Sequence, residues 1–217
     1  MILVPVKDLR SAKQRLAPML DQPSRTELAQ AMVHDVLATL ASWPLRPEVA
    51  LVTSDPFTKE LARHFRFRVI PDNQNRSETD AIEMATAVCQ AEGVESTLVI
   101  PGDIPLIQTW ELERILESAP PEGSVLVPSA DGRGTNAAFR KPAALFPLRF
   151  GSDSFEPHVA AAQATGHLLV VLSLPGIALD VDTPADLREL CATPGETQAQ
   201  RLARQWDLTE YPLAANE

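Results

Sequence analysis

Thr97-Leu98-Val99-Ile100-Pro101-Gly102-Asp103-Ile104-Pro105 carries the clearest strand-and-turn signal in the chain. It starts as a short apolar run and stops at a Pro-Gly-Asp turn, the pattern of a strand covered on both faces. Thr109 to Ser118 then carries helical periodicity, and Ser124 to Pro128 returns to a short apolar run. Strand, helix and strand in that order predict a βαβ unit of a parallel sheet.

The same rhythm extends outward in both directions. On the N-terminal side, Ile2 to Val6 reads as a first buried strand. A helix follows from Pro23 to Leu40 with Leu28, Ala31, Met32, Val36 and Leu40 as its apolar stripe, capped by Asp21 or Ser24. Val49 to Thr53, Pro56 to Phe65, Phe67 to Pro71 and Glu78 to Glu92 continue as strand, helix, strand and helix. On the C-terminal side the rhythm changes. Thr135 to Arg140 is short and mixed, Ser154 to Thr165 is helical, Leu168 to Leu174 is a strand, and Thr183-Pro184 opens a helix. The expectation is an α/β, Rossmann-like fold: a mostly parallel central sheet with helices on both faces and an antiparallel element in the C-terminal half. Residues 1–192 form the body, and the more polar tail 193–217 docks on it through Leu202, Trp206 and Leu208.

Bulk properties exclude several classes of function. With 217 residues, 45% hydrophobic and 22% charged, the chain is an ordinary globular composition. A formal net charge of −10 argues against nucleic acid or an anionic membrane as partner, and no run approaches the ~20 apolar residues of a membrane helix. The N-terminus lacks the layout of a secretory signal, so the cytoplasm is the expected compartment. Cys89 and Cys191 read as ordinary burial, and His34, His64, His158 and His167 lie singly with no metal or triad spacing.

In parallel sheets ligands bind beyond the carboxyl ends of the strands. Four clusters lie there. Lys7, Arg10, Lys13 and Arg15 put four cations into the nine residues after the first strand, enough to hold a triphosphate, or else form a solvated loop. Asp103 ends its strand as a lone hard-oxygen ligand suited to Mg²⁺, or serves as a turn residue. Asp180-Val181-Asp182 places two carboxylates on one side of an extended segment, able to face one cation with Asp103, or simply starts the helix at Pro184 with Asp186 in its first turn. Asp131 to Asn136 and Arg149 to Phe155 offer backbone amides and hydroxyls, and Ser154 at a helix start is a seat for phosphate or carboxylate, or an ordinary cap.

Read in order, VPVKDLRSAKQRLAP from Val4, VTSD from Val52, VIPGDIPL from Val99, GRGTNAAF from Gly132, the run Arg149 to His158, and GIALDVDTPADL from Gly176 resemble the guanylyltransferase family of coenzyme F(420) biosynthesis, called CofC or FbiD. The resemblance runs from Ile2 to about Leu190. It implies a MobA-like nucleotidyltransferase that joins GMP from GTP to phosphoenolpyruvate, 2-phospho-L-lactate or 3-phospho-D-glycerate and releases pyrophosphate. It also implies Mg²⁺ on Asp103, Asp180 and Asp182. Lys7, Lys13 and Arg15 then stand beside the triphosphate, with Lys7, Lys13 and Asp103 carrying catalysis. Thr135, Gly151 and Ser154 hold the phosphoacid, with Asn136 set beside them. Where many relatives carry a Gly-Leu-Asn-x-Ala-like stretch, this chain reads Arg76-Ser77-Glu78-Thr79-Asp80-Ala81, and an ionised Asp80 in place of the Asn accepts hydrogen bonds from guanine N1 and N2. The product passes to the transferase that loads the deazaflavin precursor, and a homodimer is the expected oligomer. Two rivals remain: a glycosyltransferase of related fold, which releases a nucleoside diphosphate, and a nucleotide-binding domain without turnover.

Overall fold

The computed structural model describes residues 1–74, 76–151 and 153–206. Seven strands form one sheet: β1 (Ile2–Val6), β2 (Val49–Thr53), β3 (Arg68–Ile70), β4 (Thr97–Val99), β5 (Gly123–Pro128), β6 (Thr135–Lys141) and β7 (Leu168–Val171). Their order is β3-β2-β1-β4-β6-β5-β7. All neighbours are parallel except β6, which runs antiparallel to both β4 and β5. The mixed segment after Thr135 is thus the antiparallel element expected from the break in rhythm.

The helices are α1 (Gln22–Ser42), α2 (Pro56–Phe65), α3 (Glu78–Ala91), α4 (Thr109–Glu117), α5 (Phe155–Ala164), α6 (Pro175–Ala178), α7 (Pro184–Ala192) and α8 (Gln198–Ala203). Strand residues alternate between two apolar layers. Ile2, Val4, Leu51, Leu98, Val125 and Phe139 join Leu28, Met32 and Val36 of α1 and Leu112 of α4. Leu3, Val52, Val99, Leu126 and Ala138 face the other way, toward Ala81, Ile82 and Ala85 of α3 and Ala162 of α5. Burial on both faces is why the strands read as unbroken apolar runs.

Local signals fix the boundaries. Asp21 caps α1, its side chain accepting from the Ser24 N–H at 2.9 Å, and Asp55 caps α2 in the same way through Thr58 at 2.8 Å. β7 ends at Val171 rather than Leu174, because Leu174 caps a four-residue helix that Pro175 opens. The apolar run Gly176 to Leu179 is therefore mostly helical. In the tail, α8 packs on α1, and the Asp35 carboxylate accepts from the Gln198 and Ala199 N–H groups at 2.9 and 2.8 Å. Leu202 and Trp206 pack against the larger core layer. Residues 207–217, with Leu208, lie outside the described residues. No described helix is long and apolar enough to cross a membrane.

Topology sets the site. β1, β2 and β3 step outward to one side while β4 lies on the other side of β1, so the strand order reverses between β1 and β4. A crevice opens at the carboxyl ends of strands at such a point. Because β6 is antiparallel, its first residues, Thr135 and Asn136, reach the same end of the sheet.

α6 is anchored to this end through Glu111, a fully buried carboxylate that accepts from the Gly176 N–H at 2.7 Å and the Gln108 N–H at 2.9 Å. A Cβ on Gly176 would overlap the Glu111 carboxylate and the Leu106 carbonyl. Gly176→Ala is expected to lower the unfolding free energy by about 2 kcal/mol, the usual cost of overpacking, as read from urea denaturation midpoints.

Candidate active site

Two cavities meet at the reversal point. The larger, of about 560 Å³, is lined among others by Arg15, Glu78, Asp103, Thr135, Asn136, Gly151, Ser154, Asp180 and Asp182. The smaller, of about 280 Å³, is lined among others by Lys7, Lys13, Glu78, Gly102, Asp103 and Asp182. Glu78, Asp103 and Asp182 border both.

Lys13 stands at the junction. It adopts the left-handed conformation, φ 55°, between two 3₁₀ turns at Leu9–Ser11 and Gln14–Leu16. Its ammonium donates to Asp103 Oδ2 at 2.8 Å and to Asp182 Oδ1 at 2.7 Å, and its side chain is 7% exposed. Burial alone would lower this ammonium, but the two carboxylates outweigh it and hold the group above its usual value. Conversely, burial would raise Asp182, and Lys13 pulls it below the usual carboxylate range.

The other cations divide. Lys7 sits 3.5 Å from Asp72 and lines the smaller cavity, while exposed Arg15 lines the larger. Arg10 does not join them. It folds back on Asp8, donating from Nε at 3.0 Å, and this holds Asp8 down at about 2. The expected group of four cations is therefore three.

The carboxylates are placed by backbone contacts. The Val181 N–H donates to the Asp103 carbonyl at 3.1 Å, tying two segments far apart in sequence. The helix-start reading of the next turn holds for Thr183 and Asp186, which form a reciprocal capping box. Asp186 also accepts from the Asp182 N–H at 3.0 Å, which leaves the Asp182 side chain to Lys13. Asp180 accepts from the Asn136 amide at 2.9 Å. Burial raises Asp180, the Asn136 bond partly offsets that, and the charges of Asp103 and Asp182 raise it further. Asn136 spends the rest of its amide nitrogen on the Ile177 and Ala178 carbonyls, at 3.1 and 2.9 Å. It borders the cavity mainly as the support of Asp180 and of the end of α6.

Across the cleft, Gly151 has φ +138°, a backbone conformation that favours glycine. Ser154 does not cap α5. Its hydroxyl accepts from the Thr135 N–H at 3.1 Å, and both side chains line the larger cavity.

Asp80 is exposed at the third position of α3 and borders neither cavity. The carboxylate that reaches the cleft from that segment is Glu78. Desolvation, and after it the Asp103 charge, push it up to about 8. Thr79 ties α3 to the far wall, accepting from the Phe150 N–H at 2.9 Å. Sequence reasoning also passed over His158, which is 1% exposed beneath Thr135. Its signal was its position four residues after Ser154, on the same helical face.

The fold is shared with a solved protein: the crystal structure of a protein from Desulfovibrio desulfuricans G20 described as a nucleotide-diphospho-sugar transferase matches with a TM-score of 0.76 and 19% identity, over 94% of this chain and 93% of that one. The family is narrower. A model of CofC-like guanylyl transferases matches residues 1–213, and the chain belongs to that family. It is 34% identical to the phosphoenolpyruvate guanylyltransferase of Roseiflexus castenholzii, over 94% of this chain and 93% of the relative. It is 31% identical to the 2-phospho-L-lactate guanylyltransferase of Methanothermobacter thermautotrophicus, over 99% and 94%. The chain is therefore a nucleotidyltransferase.

Burial and the nearby Arg140 push His158 down to about 4 from its ordinary 6.5. The unfolded chain then takes up a proton near pH 6.5 that the folded one refuses until about pH 4. Stability is expected to fall as pH drops through that window. Urea unfolding at a series of pH values should show a shallower fall for His158→Asn than for the parent chain.

Proposed function

We propose that the chain transfers GMP from GTP to a phosphorylated three-carbon acid, with release of pyrophosphate, in coenzyme F(420) biosynthesis. Phosphoenolpyruvate is the first acid to try and 2-phospho-L-lactate the second, since relatives of similar identity carry both names. The observation that carries the reading is a buried lysine shared by two aspartates where the strand order reverses, in a chain of guanylyl transferase descent.

The residues suit the work. The attacking phosphate oxygen is already anionic, so no general base is needed and positioning with charge neutralisation suffices. Lys7, Lys13 and Arg15 approach the triphosphate from the loop after β1. Lys13 moves from its aspartates toward the phosphates as these enter. The Thr135 and Ser154 hydroxyls and the backbone at Gly151 receive the acid on the opposite wall. Glu78, whose carboxyl is pushed well above the usual carboxylate range, borders both cavities.

Carboxylates outnumber cations along the larger cavity, so two anionic substrates do not fit it unaided. Asp103, Asp180 and Asp182 are hard oxygen donors of the kind Mg²⁺ takes. Asp103 and Asp182 already converge on one cation-sized point, and Asp180 is raised first by burial and further by their charges. No group of three or more His, Cys, Asp or Glu among the described residues is closed around such a point, so these side chains must draw together when the ion arrives with the nucleotide. Bound there, Mg²⁺ would supply charge neutralisation and Lewis acidity toward the phosphates. Homodimer formation and delivery of the labile diphosphate product to the deazaflavin-precursor transferase complete the proposal.

The test is pyrophosphate release with Mg²⁺ and each pairing of GTP, ATP or CTP with phosphoenolpyruvate, phospho-L-lactate or 3-phosphoglycerate. Release confined to GTP and one acid is expected; nucleotide binding with no release from any pair would contradict it. Asp103→Asn should lower turnover by a factor of at least about 10³ while the circular dichroism spectrum is unchanged, because a neutral amide binds Mg²⁺ poorly.

A further inference from the structure

We propose that His158 is a positioning residue that sets the polarity of the acid subsite, holding the Thr135 and Ser154 hydroxyls as paired donors toward an anion. This rests on the reading above that those two side chains face the phosphorylated acid.

His158 Nε2 lies 2.7 Å from the Arg149 backbone N. A backbone N–H only donates, so Nε2 accepts and carries no proton. The proton of the neutral ring is therefore on Nδ1, which lies 2.9 Å from Thr135 Oγ1. The ring donates and the Thr135 oxygen accepts. An imidazolium is excluded here, since it would oppose its Nε2–H to the Arg149 N–H. Thr135 in turn donates its backbone N–H to Ser154 Oγ at 3.1 Å. Each hydroxyl oxygen has thus accepted one bond, and neither hydroxyl proton has an acceptor among the described residues.

Both residues line the larger cavity although they are only 5% and 4% exposed. With their oxygens occupied from behind, their protons turn toward the cleft. Two hydroxyl donors present an anion with hydrogen bonds; with the opposite polarity the same oxygens would present lone pairs and repel it. The ring is held in place. The His158 N–H bonds to the Ser154 carbonyl at 3.1 Å within α5, and Phe150 meets the ring edge-on with centroids 5.4 Å apart. His158 touches no cleft atom itself and acts through Thr135.

The test combines tautomer and kinetics. With histidine-selective ¹⁵N labelling, long-range ¹H–¹⁵N spectra of the whole chain, assigned by comparison with H158N, should show His158 as the neutral Nδ1–H tautomer. Finding the Nε2–H tautomer overturns the inference alone, whatever the substrate. In steady-state kinetics, H158L should raise KM for the acid about tenfold with KM for GTP unchanged, the size expected for one misdirected hydrogen bond. H158N, whose amide nitrogen stands where Nδ1 does, should restore it to within about threefold. T135V should resemble H158L, and the double variant should be no worse than T135V, because both changes remove one interaction. If T135V raises KM for the acid while H158L leaves it unchanged, or adds its full effect to T135V, the inference falls and the acid subsite stands. If T135V itself leaves KM for the acid unchanged, the subsite reading falls and takes the role of His158 with it.

Discussion

Three chain segments that leave different parts of the sheet are held at one point by the Lys13 ammonium, 2.8 Å from Asp103 and 2.7 Å from Asp182. The loop after β1 brings the cation, the turn after β4 brings one carboxylate, and the segment between α6 and α7 brings the other. A buried ammonium is costly unless paired, and a pair of converging carboxylates is costly unless a cation lies between them. Each group makes the others tolerable. One ammonium between two carboxylates leaves the centre one negative charge in excess, and Asp180 beside it is raised first by its own burial and then by the charges of Asp103 and Asp182.

The formal charge is −10, and the cleft is itself rich in carboxylates. Selectivity for an anion cannot come from a broad positive field; it must come from a few placed donors. The scaffold beneath the cleft supplies the placement. Glu111 fixes the start of α6, Asn136 fixes its end together with Asp180, and the Val181 N–H locks that segment to Asp103. On the far wall, Thr79 joins α3 to Phe150, so that wall is braced as well.

Much of this was legible in the chain because apolar periodicity is local. β1, β2 and α2 fall where the runs and caps place them, residue for residue, and the change of rhythm after Pro128 marks the antiparallel strand. Within the candidate site, the positions after β1 and β4 and the two carboxylates at Asp180 and Asp182 follow from strand ends and spacing. What escaped is what depends on direction. Arg10 counts as a cation in sequence but turns to Asp8. Asp80 and Glu78 differ by half a helical turn, and only Glu78 points inward. Asn136 looks like a ligand-binding amide, yet its nitrogen is saturated by α6 and Asp180. His158 is spaced four residues from Ser154, but its own side-chain partners, Thr135 and the Arg149 N–H, come from a strand and a loop that only the fold brings together.

The most direct measurement of the central claim is anomalous diffraction from crystals grown with Mn²⁺ and a non-hydrolysable GTP analogue, Mn²⁺ taking the place of Mg²⁺. The account predicts an anomalous peak at ligand distance, about 2.2 Å, from carboxylate oxygens of Asp103 and of Asp180 or Asp182, with the Lys13 ammonium displaced toward the phosphates. A metal bound only to the phosphates, with Lys13 still seated between Asp103 and Asp182, would contradict it.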